Sequence, residues 1–433
     1  MHSDDAVNSP SVAARREGTA SPRWSVCVVS GSRADFGLLR PVMEAIRASE
    51  QLQLQVVITG VHCLPEVGTA AEVEQAFEVN ARVIMQMPED PPGRESDVAA
   101  LARGIDGLNR AFARLQPDLV LVLGDRIEAF AAASAAAVGG RRLGHIHGGD
   151  RAEGVADESM RHAMTKLAHV HFPASEQSRE RILRMGEDPG SVFLTGSPAL
   201  DDLKTFPPLS DTEIEAIVGR DNEAAPYVVL FHPSGLPDDE EARAMRSILA
   251  AVDRRARQHD HPIIMVSPNR DPGWHGVEDA IRDFVASLDP ASAPAFEPRP
   301  GSKRRVIFVD HVPRPTFIGL LRRSRVLIGN SSAGLIEAAA IGIPVVNVGP
   351  RQRGRERAGK VVDVESPWPP EVSDVTAALE AAERPEQVPP GVRIVREKML
   401  RTPWGDGHAG EWIVSVITDL MANPPSTRKR NTW

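Results

Sequence analysis

LGHIHGGDRAEGVADES, residues 143–159, decides how this chain is read. A short apolar run ends in His145, His147 and the pair Gly148 and Gly149, and a group of acidic side chains follows at once. That is the sequence of a parallel strand opening at its carboxyl end, the edge where open α/β sheets bind ligands. Just upstream, DLVLVL at residues 118–123 stops at Gly124, Asp125 and Arg126, and the Ala-rich stretch 127–138 then reads as a helix. Two neighbouring strand ends of this kind aim Asp125, Arg126, His147, Asp150, Asp157 and Glu158 into one cleft.

Outward from this centre, short β-branched runs alternate with helical ones. In the first half the strand-like runs are 24–30, 52–58, 119–123, 142–146 and 170–172, with helices at 38–49, 69–77, 100–115, 127–138, 158–167 and 176–185. Strands alternating with helices predict a parallel sheet covered on both faces. The strands are continuously apolar, as double-sided burial requires. A Pro-containing polar stretch, 204–211, interrupts the pattern, and a second cycle follows with strands at 227–231, 263–266, 306–309, 326–328 and 345–348. Two α/β halves of like size suggest a duplicated architecture, and residues 289–301, rich in Pro, Ala and Ser, read as a mobile surface loop.

Composition narrows the function classes. A chain of 433 residues exceeds what one core fills, so about two domains are expected. With a net charge of −9 and only one short basic run, at 428–430, nucleic-acid binding is disfavoured. Cys27 and Cys63 are the only cysteines, too few for a disulfide framework, and read as reduced thiols of a cytoplasmic protein. Residues 1–23 lack an apolar core of signal-peptide length and read as a disordered tail. The Ala-rich stretch 129–140 is far shorter than the roughly 20 apolar residues of a membrane span.

Several further motifs sit at strand ends. GSRADFG, residues 31–37, offers backbone amides and Arg33 to a phosphate, or is simply a turn whose helix is capped by Ser32 or Asp35. VLIGNSSAGLIE, residues 326–337, ends a buried strand in Gly-Asn-Ser-Ser and begins a helix, a geometry that favours a diphosphate; Glu337 one turn on is placed to accept from ribose hydroxyls. His62, His232 and His311 adjoin apolar runs and are either core histidines or ligand contacts. HPSG at 232 and PNRDPG at 268 add weight to binding. His145 and His147 share a strand face without any metal, and the chain has no H-E-x-x-H, so a metal site is not expected.

GSRADFGLLRP from Gly31, TGVHCLPEVG from Thr59, LGDRIEAF from Leu123, GHIHGGD from Gly144, DESMRHAMTKLAHVHF from Asp157, GNSSAGLIEAA from Gly329, GPRQRGR from Gly349 and WGDGHA from Trp404 together resemble the hydrolysing UDP-N-acetylglucosamine 2-epimerases. The resemblance runs from about residue 24 to 420. It implies an α/β fold of two Rossmann-like domains in a glycosyltransferase-B-like arrangement, with the active site in the cleft between them. The segments expected are a tail (1–23), a catalytic domain (24–205), a UDP-binding domain (206–405), a helix returning to the first domain (406–424) and a basic tail (425–433). The reaction implied uses no metal and no cofactor: UDP is eliminated to a 2-acetamidoglucal, which is hydrated to the 2-epimeric free sugar. Catalytic positions then fall on Asp125, His147, Asp150, Asp157, Glu158 and Arg161. Asp150 stands where relatives often carry glutamate, and His147 where some do. UDP-sugar contacts fall on Arg33, His62, Arg126, His232, Asn269, His311, Phe317, Ser331, Ser332, Gly334, Glu337 and Arg351. The partner implied is a nucleotide sugar, with no nucleic acid or membrane, in a homodimer or homotetramer that feeds a sialic-type or surface-polysaccharide pathway. A non-hydrolysing epimerase, a glycosyltransferase of the same fold and a nucleotide-sugar sensor are the alternatives; the acidic cluster argues against the last two.

Overall fold

The computed structural model describes residues 23–65, 69–90, 94–152, 158–218, 224–288, 306–309, 312–364, 368–384, 399–429 and 432. Asp157, His311, the tail 1–22 and the loop 289–301 lie outside them. Among the described residues there are two six-stranded sheets, and every pairing in them is parallel. The first holds β1 (Trp24–Ser30), β2 (Leu52–Thr59), β3 (Ala81–Val83), β4 (Leu119–Leu123), β5 (Leu143–Ile146) and β6 (Val170–Phe172) in the order β3-β2-β1-β4-β5-β6. The second holds β7 (Tyr227–Leu230), β8 (Ile263–Val266), β9 (Val306–Val309), β10 (Val326–Gly329), β11 (Val345–Val348) and β12 (Val361–Val364) in the order β12-β11-β10-β7-β8-β9. Read from the opposite edge, the second order repeats the first, so the two halves share one topology.

Side-chain alternation builds the layers. In β1, Val26 and Val28 face one core, with Phe36, Leu39 and Val42 of the Arg33–Ala48 helix, while Cys27 and Val29 face another that holds Leu108, Phe112 and the alanines of the Ile127–Val138 helix. Alanines let that helix lie close to the sheet. Burial pushes the Cys27 thiol up to about 12, which leaves it inert as a nucleophile.

The Ala409–Ala422 helix returns to the first half. Ile413 and Ile417 enter the core that holds Phe36, and Asp201 accepts from the amides of Ala409 and Gly410 at 2.9 and 2.6 Å, capping the helix start. Among the described residues no helix is long and apolar enough to cross a membrane.

In both sheets the strand order reverses beside the first strand of the half, between β1 and β4 and between β7 and β10. A crevice opens at the carboxyl ends of such a pair. The segments after β1, β4 and β5 and those after β7, β8, β10 and β11 carry most of the residues singled out from the sequence, while His62 follows β2 and Phe317 lies in the Arg314–Arg323 helix after β9.

Candidate functional site

The loop after β4 carries Asp125, and the Glu158–Leu167 helix that follows β5 carries Glu158 and Arg161. Arg161, 1% exposed, pairs with Asp125 and Glu158 and donates to the Asp150 carbonyl at 3.0 Å. A guanidinium forked between carboxylates fixes both in place. Burial alone pushes the Asp125 carboxyl up, but Arg161, with Arg355 and Arg351 behind it, outweighs burial and holds it below its ordinary value. Glu158 is opposed by burial as well, yet hydrogen bonds from His162 and the Ala152 amide, with Arg161, bring it to about 2. Both are therefore carboxylates near neutral pH.

His147 takes a left-handed backbone (φ 63°), a conformation uncommon outside glycine that concentrates at functional turns. Its Nδ1 lies 2.8 Å from Asp150 Oδ2 and its Nε2 2.8 Å from Ser197 Oγ. Ser178 donates to the other Asp150 oxygen at 2.8 Å. Asp150 is buried, which raises its carboxyl, but His147 and then Arg355 and Arg161 hold it far below its ordinary value. An ionised carboxylate thus orients the imidazole.

His145, expected beside His147, turns to the scaffold instead: its Nε2 meets the Gly124 carbonyl at 2.8 Å and its Nδ1 lies 3.3 Å from Thr165 Oγ1. His62 is likewise enclosed between Ser30 Oγ at 3.0 Å and Thr69 Oγ1 at 2.9 Å, 2% exposed beneath the β1 loop. Among the described residues no three His, Cys, Asp or Glu side chains converge as a metal ion would need.

The β1 loop resolves the choice left by the sequence. Asp35 accepts from the amides of Gly31 and Ser32 at 2.8 and 2.7 Å, and Ser32 caps the Arg33–Ala48 helix in return. Those amides serve a capping box rather than standing open to a phosphate, so Arg33 is the group this loop offers.

The second half faces this cluster. His232, after β7, exchanges hydrogen bonds with Asn330, after β10: its amide donates to Asn330 Oδ1 at 2.7 Å and its carbonyl accepts from Nδ2 at 2.8 Å. The Asn269 amide donates to His232 Nδ1 at 3.0 Å. Burial brings His232 to about 3, and the charges of Arg351, Arg126 and Arg33 act in the same direction against Asp271. Arg126 Nη1 reaches Asp271 Oδ1 at 3.3 Å across the cleft, and Arg351 donates to the Asn330 carbonyl at 3.3 Å. Arg126 from the first half and Arg351 from the second therefore flank the Asp271 carboxylate, and the charge of Arg33 reaches His232 beside it, an arrangement suited to an anion of more than one charge.

Ser331 and Ser332 open only a single turn, Ser332–Leu335, and a second short turn, Glu337–Ala340, follows a break at Ile336. Gly334 is buried there against β11. Glu337 is 5% exposed and paired with Arg314 at 3.0 Å, whose other amino group donates to the Ala199 carbonyl at 2.6 Å. Phe317 packs on the core of the second half that holds Val228, Leu230 and Leu327.

Arg355, Arg314, Asp271, Asn330, Ser178 and Ser197 were not singled out from the sequence. Arg355 had a signal, since it closes GPRQRGR; its charge acts on Asp150, Asp125 and Glu158 from the second half. Ser197 and Ser178 had none, because ordinary helix caps look the same.

Buried neutral histidines predict an acid-side loss of stability. Burial holds His145 at about 4, whereas the unfolded chain titrates near 6.5. Its contribution is complete above pH 6.5 and is lost as pH falls toward 4, because the unfolded state binds the proton first. His232, at about 3, acts in the same sense. Denaturant midpoints should fall between pH 7 and pH 5, and His145→Gln should reduce that slope by up to about 1.4 kcal/mol per pH unit. An unchanged slope would place the titration elsewhere.

A family model described as UDP-N-acetylglucosamine 2-epimerase matches residues 44–418. The chain is 32% identical over 408 residues, covering 94% of it and 99% of the relative, to a UDP-N,N'-diacetylbacillosamine 2-epimerase (hydrolyzing) of Legionella pneumophila. It is 27% identical, covering 83% and 88%, to a GDP/UDP-N,N'-diacetylbacillosamine 2-epimerase (hydrolyzing) of Campylobacter jejuni. The S. aureus MnaA–UDP co-structure superposes with a TM-score of 0.70 at 19% identity, covering 95% of this chain and all of that one. A Neisseria meningitidis UDP-GlcNAc 2-epimerase bound to UDP-GlcNAc gives 0.68 at 19% identity, covering 91% and 100%. These structural likenesses bear out the fold, two Rossmann-like sheets in a glycosyltransferase-B-like arrangement.

Proposed function

The chain belongs to the UDP-N-acetylglucosamine 2-epimerase family, and from that premise we propose that it is a hydrolysing 2-epimerase. Its substrate is UDP-N-acetylglucosamine or a close 2-acetamido analogue such as UDP-diacetylbacillosamine, and its products are UDP and the free 2-epimeric sugar. The observation that carries this reading is the facing of two sets of groups across one cleft. Asp125, Glu158, Arg161 and the His147 and Asp150 pair stand on one side; Arg351, Arg355 and Asp271 stand on the other. The two hydrolysing relatives support the same choice.

The chemistry needs a base at C2, a charge sink for the leaving diphosphate and a proton donor for the opposite face of C2. Asp125 is ionised and can take the C2 proton while the C1–O bond breaks and UDP leaves with the bonding electrons. Arg33, Arg126 and Arg351 neutralise the departing diphosphate. Water then adds at C1, and C2 is protonated from the other face; the His147 imidazole, oriented by Asp150, and Asp157 are the groups assigned to these proton transfers. Ser331, Ser332 and Glu337 bind the nucleotide, with Asn269, His232, Phe317 and His311 around it. A homo-oligomer in the cytoplasm, supplying a sialic-type acid pathway, completes the reading.

Turnover in deuterated water tests it. The free sugar should carry deuterium at C2, and heavy-oxygen water should label its C1 hydroxyl and not the UDP. A sugar of retained C2 configuration with hydrogen at C2 would point to a glycosyltransferase or simple hydrolase. A 2-epimer still attached to UDP would point to the non-hydrolysing reaction.

A further inference from the structure

The basic run at 428–430, read from the sequence as part of a basic tail, is anchored where it is described. Arg142 donates to the Pro425 carbonyl at 2.8 Å, His169 Nε2 lies 3.3 Å from the Thr427 carbonyl, and Thr432 donates its amide to Gly186 at 3.1 Å. Between these anchors Lys429 sends its ammonium to the carbonyls of Thr165 and Lys166, at 3.0 and 2.7 Å, and to Glu187 Oε2 at 2.6 Å. Thr165 and Lys166 belong to the last turn of the Glu158–Leu167 helix, where carbonyls have no partner within the helix and a cation is favoured. Glu187 is 2% exposed and also holds Lys166 at 2.6 Å and His171 at 3.1 Å.

The other end of that helix carries Glu158 and Arg161. Thr165 Oγ1 lies 3.1 Å from the Arg161 carbonyl and 3.3 Å from His145 Nδ1, and His145 meets the Gly124 carbonyl, next to Asp125, at 2.8 Å. We propose that Lys429 is a positioning residue: by clamping the end of this helix to Glu187, it sets where Arg161 sits between Asp125 and Glu158. The effect on rate rests on the function proposed above; the clamp itself does not. Reacting groups displaced by a fraction of an ångström lose rate steeply, while a nucleotide held by Ser331, Ser332 and Arg351 of the opposite half, and by Arg33 and Arg126 outside this helix, does not sense the shift.

Lys429→Met and Lys429→Arg in the full chain test this, assayed well below their melting temperatures. Lys429→Met should lower kcat about tenfold, with KM and the UDP dissociation constant within about twofold of the parent. Amide hydrogen exchange over residues 161–167 should accelerate in the same variant. Lys429→Arg, whose guanidinium reaches the same carbonyls and carboxylate, should restore most of the rate and the protection. Unchanged exchange over 161–167 overturns the clamp whatever the activity. Faster exchange with an unchanged kcat, or kcat and UDP affinity falling together, overturns the positioning role. Should the parent protein release no 2-epimeric sugar at all, the functional reading fails while the exchange data still decide the clamp.

Discussion

Asp125→Asn is expected to lower kcat by about 10² to 10³, the range typical of a lost general acid or base, and to leave UDP affinity within a few-fold of the parent. Asparagine matches the shape of aspartate and can still accept one hydrogen bond from Arg161, but it cannot take a proton from carbon. The parent carboxyl is held ionised by Arg161 in spite of burial, with Arg355 and Arg351 adding to it. Arg161 keeps Glu158 and the Asp150 carbonyl in the variant, so the helix that carries it has two of its ties left. The groups assigned to the diphosphate, Arg33, Arg126 and Arg351, do not depend on Asp125. Single-turnover rates and UDP titration calorimetry on the purified variant separate the two effects. A parental kcat would remove Asp125 from the chemistry; equal losses in kcat and UDP binding would make it a structural residue of the cleft.

Gly329→Ala is expected to destabilise the protein by about 3–5 kcal/mol and to abolish the thermal shift given by UDP. Gly329 ends β10 at φ 144°, outside the range of ordinary side-chain-bearing residues, and a Cβ there would sit 1.9 Å from the Leu230 carbonyl oxygen. That oxygen belongs to the backbone of β7, in register with Gly329, so it cannot move without opening the pair at the centre of the sheet. The displaced segment continues directly into Asn330, Ser331 and Ser332. UDP at a hundredfold excess over its dissociation constant should stabilise the parent by about 2.7 kcal/mol, and the variant by little. Gly124→Ala is the comparison: it also has positive φ, 77°, but nothing lies within 4 Å of a Cβ there, so the cost should stop at the roughly 1–2 kcal/mol of backbone strain. Melting curves of the two variants with and without UDP give the answer, and a Gly329→Ala protein within about 1 kcal/mol of the parent would refute the close-approach argument.

The reading of the chain was most accurate where side chains are buried on both sides of a strand. Runs such as LVLVL at β4 and IIMV at β8 are apolar at every position, and these strands appear where the runs are. Two strands escaped notice, β3 and β12, and each is an edge strand of its sheet. An edge strand is covered less completely, so Arg82 in β3 and Asp363 in β12 interrupt the apolar signal. The first helix begins at Arg33, five residues before its apolar periodicity becomes evident, because the Ser32 and Asp35 capping box starts it. Asp35 was recognised as a candidate cap; that it would occupy the loop's own amides was not, since the same residues at the same spacing could equally have left them open.

The order of residues along the chain was enough for the α/β class, the two halves, and the gathering of Asp125, His147, Asp150 and Glu158 at adjacent strand ends, because strand alternation and loop position are local properties with a fixed period. Pairings between distant segments were beyond its reach. Arg161 with Asp125, Arg126 with Asp271, His147 with Ser197 and Lys429 with the end of the Glu158–Leu167 helix join residues separated by 36, 145, 50 and more than 260 positions. Each side chain has many sterically possible partners until packing places the two sheets and the returning C-terminal segment. Which carboxylates are ionised, which histidine is held by a carboxylate and which is enclosed in the scaffold follow from that placement, because charge and hydrogen bonding in a buried site are set by neighbours in space.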